Sequence, residues 1–368
     1  MYQGIFVDAA EADKHFAELM SSKGRYGLRV EFQKPDEMMT LAKEILSSQP
    51  DLVALNYRLN NNRKKRPSNY KAGALAQQLR DSVMESVSKD FPIILVSSQD
   101  DIKAFFDNVT AHNLFDRCFS KEELELGNGG LHSEELLSLV KGYKHLIKNW
   151  NQPERWSIFL GITGQERLRI SYQAIRELDK LKAPHQVARD ILRYVIDRPG
   201  LLLDKENLLA ELGVAETGKD VDALLEILRQ EKVLYTGIFS EGWTRWWSHR
   251  LDRWGEKLCN EALGNLTAKQ RTSCLNKKLG LKLSPAKSRW QGHTNALFAF
   301  ACVSCHQPTE EEFSVAVYDP LPLPYTFAQS KYICWKCVET GEFEEKGFEL
   351  DESEEFIVDK IQNGEFRK

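Results

Sequence analysis

The first 125 residues alternate short apolar runs with amphipathic stretches, and this alternation restricts the fold more than any other feature of the chain. Ile5-Phe6-Val7 has strand character, residues 10–22 carry apolar side chains at helical spacing, and residues 28–32 alternate with period two. Residues 35–48 read as a helix with its proline early, where helix starts favour it. Residues 52–57 and 92–96 read as strands, 72–88 and 101–113 as helices, and 117–119 as a last short strand. Nearly continuous apolar strands separated by helices belong to a parallel sheet covered on both faces, so the expected class is α/β.

Four local matches, in chain order, make residues 3–125 similar to the receiver domains of bacterial response regulators. Val7-Asp8 stands where that family's first strand ends in an acidic pair. Asp51-Leu52-Val53-Ala54-Leu55-Asn56-Tyr57-Arg58-Leu59 resembles the third strand, which ends in the phosphoacceptor aspartate. Pro92-Ile93-Ile94-Leu95-Val96-Ser97-Ser98 resembles the fourth strand with its terminal hydroxyl residue, and Lys121 follows the fifth. The resemblance implies a flavodoxin-like sheet with Asp8, Asn56, Ser97 and Lys121 around one pocket.

The departures from that pattern bear on function. Asn56 occupies the acceptor position, and an amide lacks the carboxylate nucleophile needed for an acyl phosphate. Ala9 stands where the second acid belongs, so Asp8 alone is a poor magnesium site and the pocket is expected to be neutral or net positive. The loop from Arg58 through Lys71 is long and carries Arg63, Lys64, Lys65 and Arg66, at the sheet edge where ligands of open α/β sheets bind. These four residues read either as a solvated loop or as contacts to an anionic partner.

A polar, glycine-rich joint at residues 125–130 precedes a helical pattern over 133–150 and another over 167–181. Beyond it, helices over 188–198, 204–212 and 219–229 and a hairpin between Val233 and Trp247 give the element order of a winged helix. Between Gln186 and Gln230 there are six Lys/Arg and nine Asp/Glu, and the third helix begins Asp220-Val221-Asp222. Carboxylates there would repel phosphates, which favours a protein-docking module over a DNA reader. Trp243, Trp246, Trp247 and Trp254 are expected to fix the hairpin onto the next helix.

Cys302-Val303-Ser304-Cys305 and Cys334-Trp335-Lys336-Cys337 form two CxxC turns separated by 28 residues. Such a pair can close a tetrahedral four-cysteine zinc site with no open ligand position, so the role expected for zinc is structural. Seven cysteines in a chain of cytosolic type argue against a disulfide framework. From Ala262 to Thr309 the chain has no acid and seven bases: Lys269, Arg271, Lys277, Lys278, Lys282, Lys287 and Arg289. Three readings of that stretch stand side by side: a solvated face or pairing with the acidic residues of Val338 to Asp359, contact with a protein partner, and contact with nucleic acid.

The expected organisation is a receiver-like α/β domain (1–126), a helical connector (131–185), a winged-helix-like or helical domain (186–258), a basic zinc-binding module (259–345) and an acidic tail (346–368). The N-terminal residues show no signal-peptide pattern and the apolar runs are too short to span a bilayer, so a cytoplasmic protein is expected. No nucleophile–base constellation, open metal site or phosphate-cradling loop is evident, and no small-molecule substrate suggests itself. The function expected is that of a non-catalytic bacterial signalling or adaptor protein with a protein partner encoded nearby. Degenerate receivers joined to such modules resemble accessory sensors of phage-defence and conflict operons. The alternative is a nucleic-acid-binding regulator working through residues 267–289.

Overall fold

The computed structural model describes residues 1–24, 27–60, 69–84, 86–106, 113–126, 130–167, 178–320 and 323–366. Arg63, Lys64, Lys65 and Arg66 lie outside the described residues. The chain divides into two compact units, one of Met1–Leu192 with Thr236–Trp243 and one of Arg193–Tyr235 with Thr244–Lys368.

The first unit is built on five parallel strands: β1 (Tyr2–Val7), β2 (Leu28–Gln33), β3 (Leu52–Leu55), β4 (Ile93–Ser97) and β5 (Arg117–Ser120). Their order is β2-β1-β3-β4-β5, the flavodoxin-like order of a doubly wound sheet, and the fold is receiver-like α/β. β3 and β4 are buried along their whole length, as their unbroken apolar sequences require. Helices α1 (His15–Leu19), α2 (Met38–Ser48), α3 (Ala72–Val83), α4 (Gln99–Phe106) and α5 (Lys121–Leu126) connect or follow the strands. The 20-residue α6 (Gly130–Asn149) comes next, then α7 (Arg155–Leu160), α8 (Gly164–Arg167) and α9 (Pro184–Asp190).

A buried ionic network ties the later helices to the sheet. Arg80 of α3 donates to Asp90 (3.2 Å), to the Phe91 carbonyl (2.8 Å) and to Asp116 (2.8 Å). Asp116 also accepts from Tyr143 of α6 at 2.6 Å, and Asp90 from the backbone N–H of His185 in α9 at 2.8 Å. Burial opposes the charge of the guanidinium, and Tyr143, Asp116 and Asp90 together outweigh it. Two acids together with the Phe91 and Leu114 carbonyls engage most of its donors, which is the condition for keeping a charge in a core.

The second unit begins with β6 (Leu202–Leu203), α10 (Lys205–Leu212) and α11 (Val221–Gln230). Asp204 caps α10 by accepting from the Asn207 N–H, as its position just ahead of the helix suggests. β7 (Trp246–Trp247) pairs antiparallel with β6, and Leu234 forms an isolated bridge to Trp246, so the ends of the expected hairpin meet. Trp246 and Trp247 are buried there. Trp243 departs from the expected cluster: it belongs to the first unit, where the Arg117 guanidinium stacks on its ring at 4.7 Å.

Helices α12 (Ser248–Cys259) and α13 (Ala268–Leu279) follow, joined by a Cys259–Cys274 disulfide with Cα atoms 5.9 Å apart. One disulfide thus stands in a chain whose cysteine count argues against a disulfide framework, because the packing of the two helices brings together cysteines 15 residues apart. Two short antiparallel pairs come next, β8 (Phe300–Ala301) with β9 (Pro308–Thr309), and β10 (Ser314–Ala316) with β11 (Tyr332–Cys334). Helices α14 (Trp335–Thr340), α15 (Glu342–Glu345) and α16 (Glu355–Gln362) complete the unit.

Residues 346–366 do not trail as a tail. Leu350 bridges Val317, Ile361 of α16 is fully buried, and the Phe366 ring lies 4.7 Å from that of Trp335. The apolar residues spaced between the acids have a core to enter, which charge counting alone does not reveal. Among the described residues no helix is long and apolar enough to cross a membrane.

Candidate functional site

Because β1, β3, β4 and β5 run parallel, the residues at their C-terminal ends meet at one edge of the sheet. Asp8 follows β1, Asn56 follows β3, Ser97 ends β4 and Lys121 opens α5 directly after β5. The Ser97 hydroxyl donates to Asn56 Oδ1 at 2.8 Å, and the Tyr57 N–H donates to the same oxygen at 2.8 Å. Lys121 donates to Asp8 at 3.0 Å and to Asp13 at 2.6 Å, and Asp8 also accepts from the Ala10 N–H.

Asp13 was not among the expected pocket residues. It sits in a short 3₁₀ turn, Glu11–Lys14, four residues beyond Ala9. The expectation of a neutral or net-positive pocket is therefore corrected: one lysine faces two carboxylates. Burial raises the Asp8 carboxyl above its ordinary value, against the pull of its hydrogen bonds and of Lys121. Burial also opposes the Asp13 charge, but the hydrogen bond and attraction from Lys121 prevail and lower it. Lys121 is raised, its loss of solvent outweighed by the two acids. The pocket thus holds an amide whose oxygen already has two donors and a lysine engaged by two acids. It offers no carboxylate at the acceptor position.

The second candidate is the cysteine cluster. Cys302 and Cys305 lie on the turn between β8 and β9, Cys334 ends β11, and Cys337 is in α14. Their four Sγ atoms lie within 4.8 Å of one another. Cys302 and Cys337 Sγ are 3.9 Å apart, and Cys305 and Cys334 Sγ 3.8 Å. A zinc–sulfur distance of about 2.3 Å in a tetrahedron implies sulfur–sulfur edges of about 3.8 Å, so the arrangement fits a four-thiolate zinc ion. The Cys334 N–H donates to Cys302 Sγ at 3.2 Å and Arg289 Nη1 to Cys337 Sγ at 3.3 Å, both of which favour thiolate charge. His306, beside Cys305, is not one of the cluster residues.

The basic stretch divides into two kinds of residue. Lys269, Lys277 and Lys278 are exposed on α13, and Lys282 and Lys287 are exposed beyond it. Arg271 is corrected as a contact residue: it is 1% exposed and donates to the carbonyls of Leu263, Leu266, Glu211 and Phe298. Arg289 is likewise engaged, between Cys337 and Glu342. Beside Arg271, burial pushes the Glu211 carboxyl up to about 8, reinforced by Asp252. Glu211 could not be singled out from sequence, where it looks like an ordinary surface charge.

No protein-family model matches this sequence, and no curated protein matches it. Among solved structures it is similar to a single-residue variant of RitR, with 14% identity over 40% of this chain and 54% of that one, at a TM-score of 0.29. It is similar to the signal receiver domain of the response regulator NarL from Mycobacterium tuberculosis, with 14% identity over 38% of this chain and 97% of that one, at a TM-score of 0.26. A third similar structure is NtrX from Brucella abortus in complex with ADP, with 14% identity over 49% of this chain and 33% of that one, at a TM-score of 0.29. The chain thus spans about half of the RitR variant and a third of NtrX.

Proposed function

We propose that this protein is a non-catalytic signalling protein of adaptor type, whose receiver-like unit works without phosphorylation and whose cysteine cluster binds one structural zinc ion. The observation that carries the reading is the bond from Ser97 to Asn56 Oδ1 at 2.8 Å. It joins the hydroxyl and acceptor positions directly, in the space where a phosphoryl group would have to stand. The pinning of Lys121 by Asp8 and Asp13 supports the same conclusion, since a lysine with two carboxylate partners has no need of a phosphoryl one. Output then depends on non-covalent contacts, in the first place with a protein partner encoded near its gene. Zinc suits the cluster because four thiolates with no open position make a closed site that stabilises a small fold.

The test is incubation of the full chain with a small-molecule phosphodonor and magnesium, read by intact mass. No phosphoryl gain is expected. A gain of one phosphoryl group that disappears in Asn56→Ala would overturn the reading. Affinity capture with products of neighbouring genes tests the adaptor role, and a complex formed equally well with or without phosphodonor is the expected outcome.

A further inference from the structure

The lysines that remain exposed after Arg271 and Arg289 are consumed follow a pattern of their own. Lys269, Ser273 and Lys277 fall at i, i+4 and i+8 of α13, and all three are exposed. Successive fourth residues share one face of a helix. Gln270 is exposed beside them, Lys278 is exposed farther round the helix and outside this face, and Lys282 and Lys287 continue the run past Gly280. Among the described residues none of these five lysine side chains forms an ion pair with an acid, and residues 262–309 contain no acid at all.

The helix is well fixed at both ends. Thr267 and Gln270 form a reciprocal capping box, and Gly280 closes the C-terminus in the left-handed conformation. The following loop is held by the Asp220 carboxylate, which accepts from the Lys282 N–H at 2.8 Å. The charges are thus carried on a rigid support.

We propose that this face of α13, with the loop after it, binds the phosphate backbone of a nucleic-acid duplex without reading its sequence. Lys269 and Lys277 are separated by eight residues, an axial rise of about 12 Å, which spans roughly three to four base steps of about 3.4 Å. Ser273 and Gln270 between them are hydroxyl and amide donors of the kind that contact phosphate oxygens. An acidic protein is a poorer fit. The face has no aromatic or large apolar anchor, and lysine is depleted at protein–protein interfaces. The helix that winged-helix order would assign to DNA, α11, exposes Asp222 and Glu226 and is unsuited to the task. The surface thereby supplies a second binding activity, on residues other than those of the receiver-like pocket.

The test uses the full, zinc-loaded chain and a labelled mixed-sequence DNA duplex of about 20 base pairs, followed by fluorescence anisotropy from about 50 to about 300 mM salt. Binding should weaken steeply with salt and be equal for two unrelated sequences. Joint Lys269→Ala and Lys277→Ala should lower the log–log salt slope by about 1.8, a loss of roughly 10- to 100-fold at about 0.1 M. Joint Lys269→Arg and Lys277→Arg should retain binding, and joint Lys43→Ala and Lys89→Ala in the first unit should not alter it. Absence of binding at about 50 mM salt, or binding unchanged in the double alanine variant, would sink the proposal. So would displacement of the duplex by polyglutamate at equal charge concentration, which would assign the face to acidic proteins instead.

Discussion

Ser97 and Asn56 stand at the ends of neighbouring strands, and the serine hydroxyl donates to the asparagine Oδ1 at 2.8 Å. Around them lie Asp8, Asp13 and Lys121, one positive charge among two negative ones.

Asn56→Asp should convert this arrangement into a divalent-cation site. The change places a third carboxylate beside Asp8 and Asp13 against the single Lys121, and like charges in a partly buried site repel one another. The variant is expected to melt below the parent protein in chelator and to regain stability in millimolar magnesium, whereas the parent should respond little. Magnesium takes hard oxygen ligands, which the added carboxylate supplies. Thermal unfolding with and without magnesium checks this, and identical melting shifts in both proteins would contradict it.

Removing Arg80 should be severe. Arg80→Met leaves Asp90 and Asp116 buried without their cation, a loss of about 3–5 kcal/mol for a broken buried pair. Asp90 is held below the ordinary carboxylate value: burial opposes its charge, but His185 and Arg80 outweigh it. Its contribution to parent stability is therefore present above the unfolded carboxylate range and is lost as pH falls. The deficit of Arg80→Met should accordingly be largest near neutrality and shrink in acid, as chemical denaturation at a series of pH values will measure.

Glu211 predicts the opposite pH dependence. Its carboxyl titrates at about 8 in the folded protein against an ordinary value of 4.5. Stability from this group is complete below the unfolded value and is lost as pH rises through the folded one, at no more than about 1.4 kcal/mol per pH unit. Glu211→Gln, which keeps the neutral shape, should flatten the stability profile between those values and be more stable than the parent at alkaline pH. A variant whose profile tracks the parent's would show that Glu211 is solvated.

The cysteine cluster should carry one zinc per chain, and Cys334→Ser should lose it and unfold the segment around α14 and α16. Structural zinc sites contribute on the order of 10 kcal/mol of apparent binding energy to small folds. Arg289→Ala should keep the metal but release it faster to a chelator, because it removes the donor to Cys337 Sγ. Elemental analysis and the kinetics of metal transfer to a chromogenic chelator distinguish these outcomes.

The local sequence by itself determined the parallel sheet and the two CxxC turns. Apolar runs such as Ile93-Ile94-Leu95-Val96 have only one stable environment, a strand covered on both faces, and the helical spacing between runs leaves the crossovers little choice. A CxxC turn points two thiols at one centre through local geometry, so the pairing of two turns could be anticipated from spacing. The charged residues were different, because their roles depend on what the fold brings beside them. Asp13 joined the pocket only because a 3₁₀ turn carries it back to Lys121, 108 residues away in sequence. Arg271 and Lys269 are two residues apart on one helix, yet one is buried against five backbone carbonyls and the other is exposed. Tertiary structure alone decided this, since the cost of burying a charge is set by the partners that packing supplies and not by the residue's own chemistry.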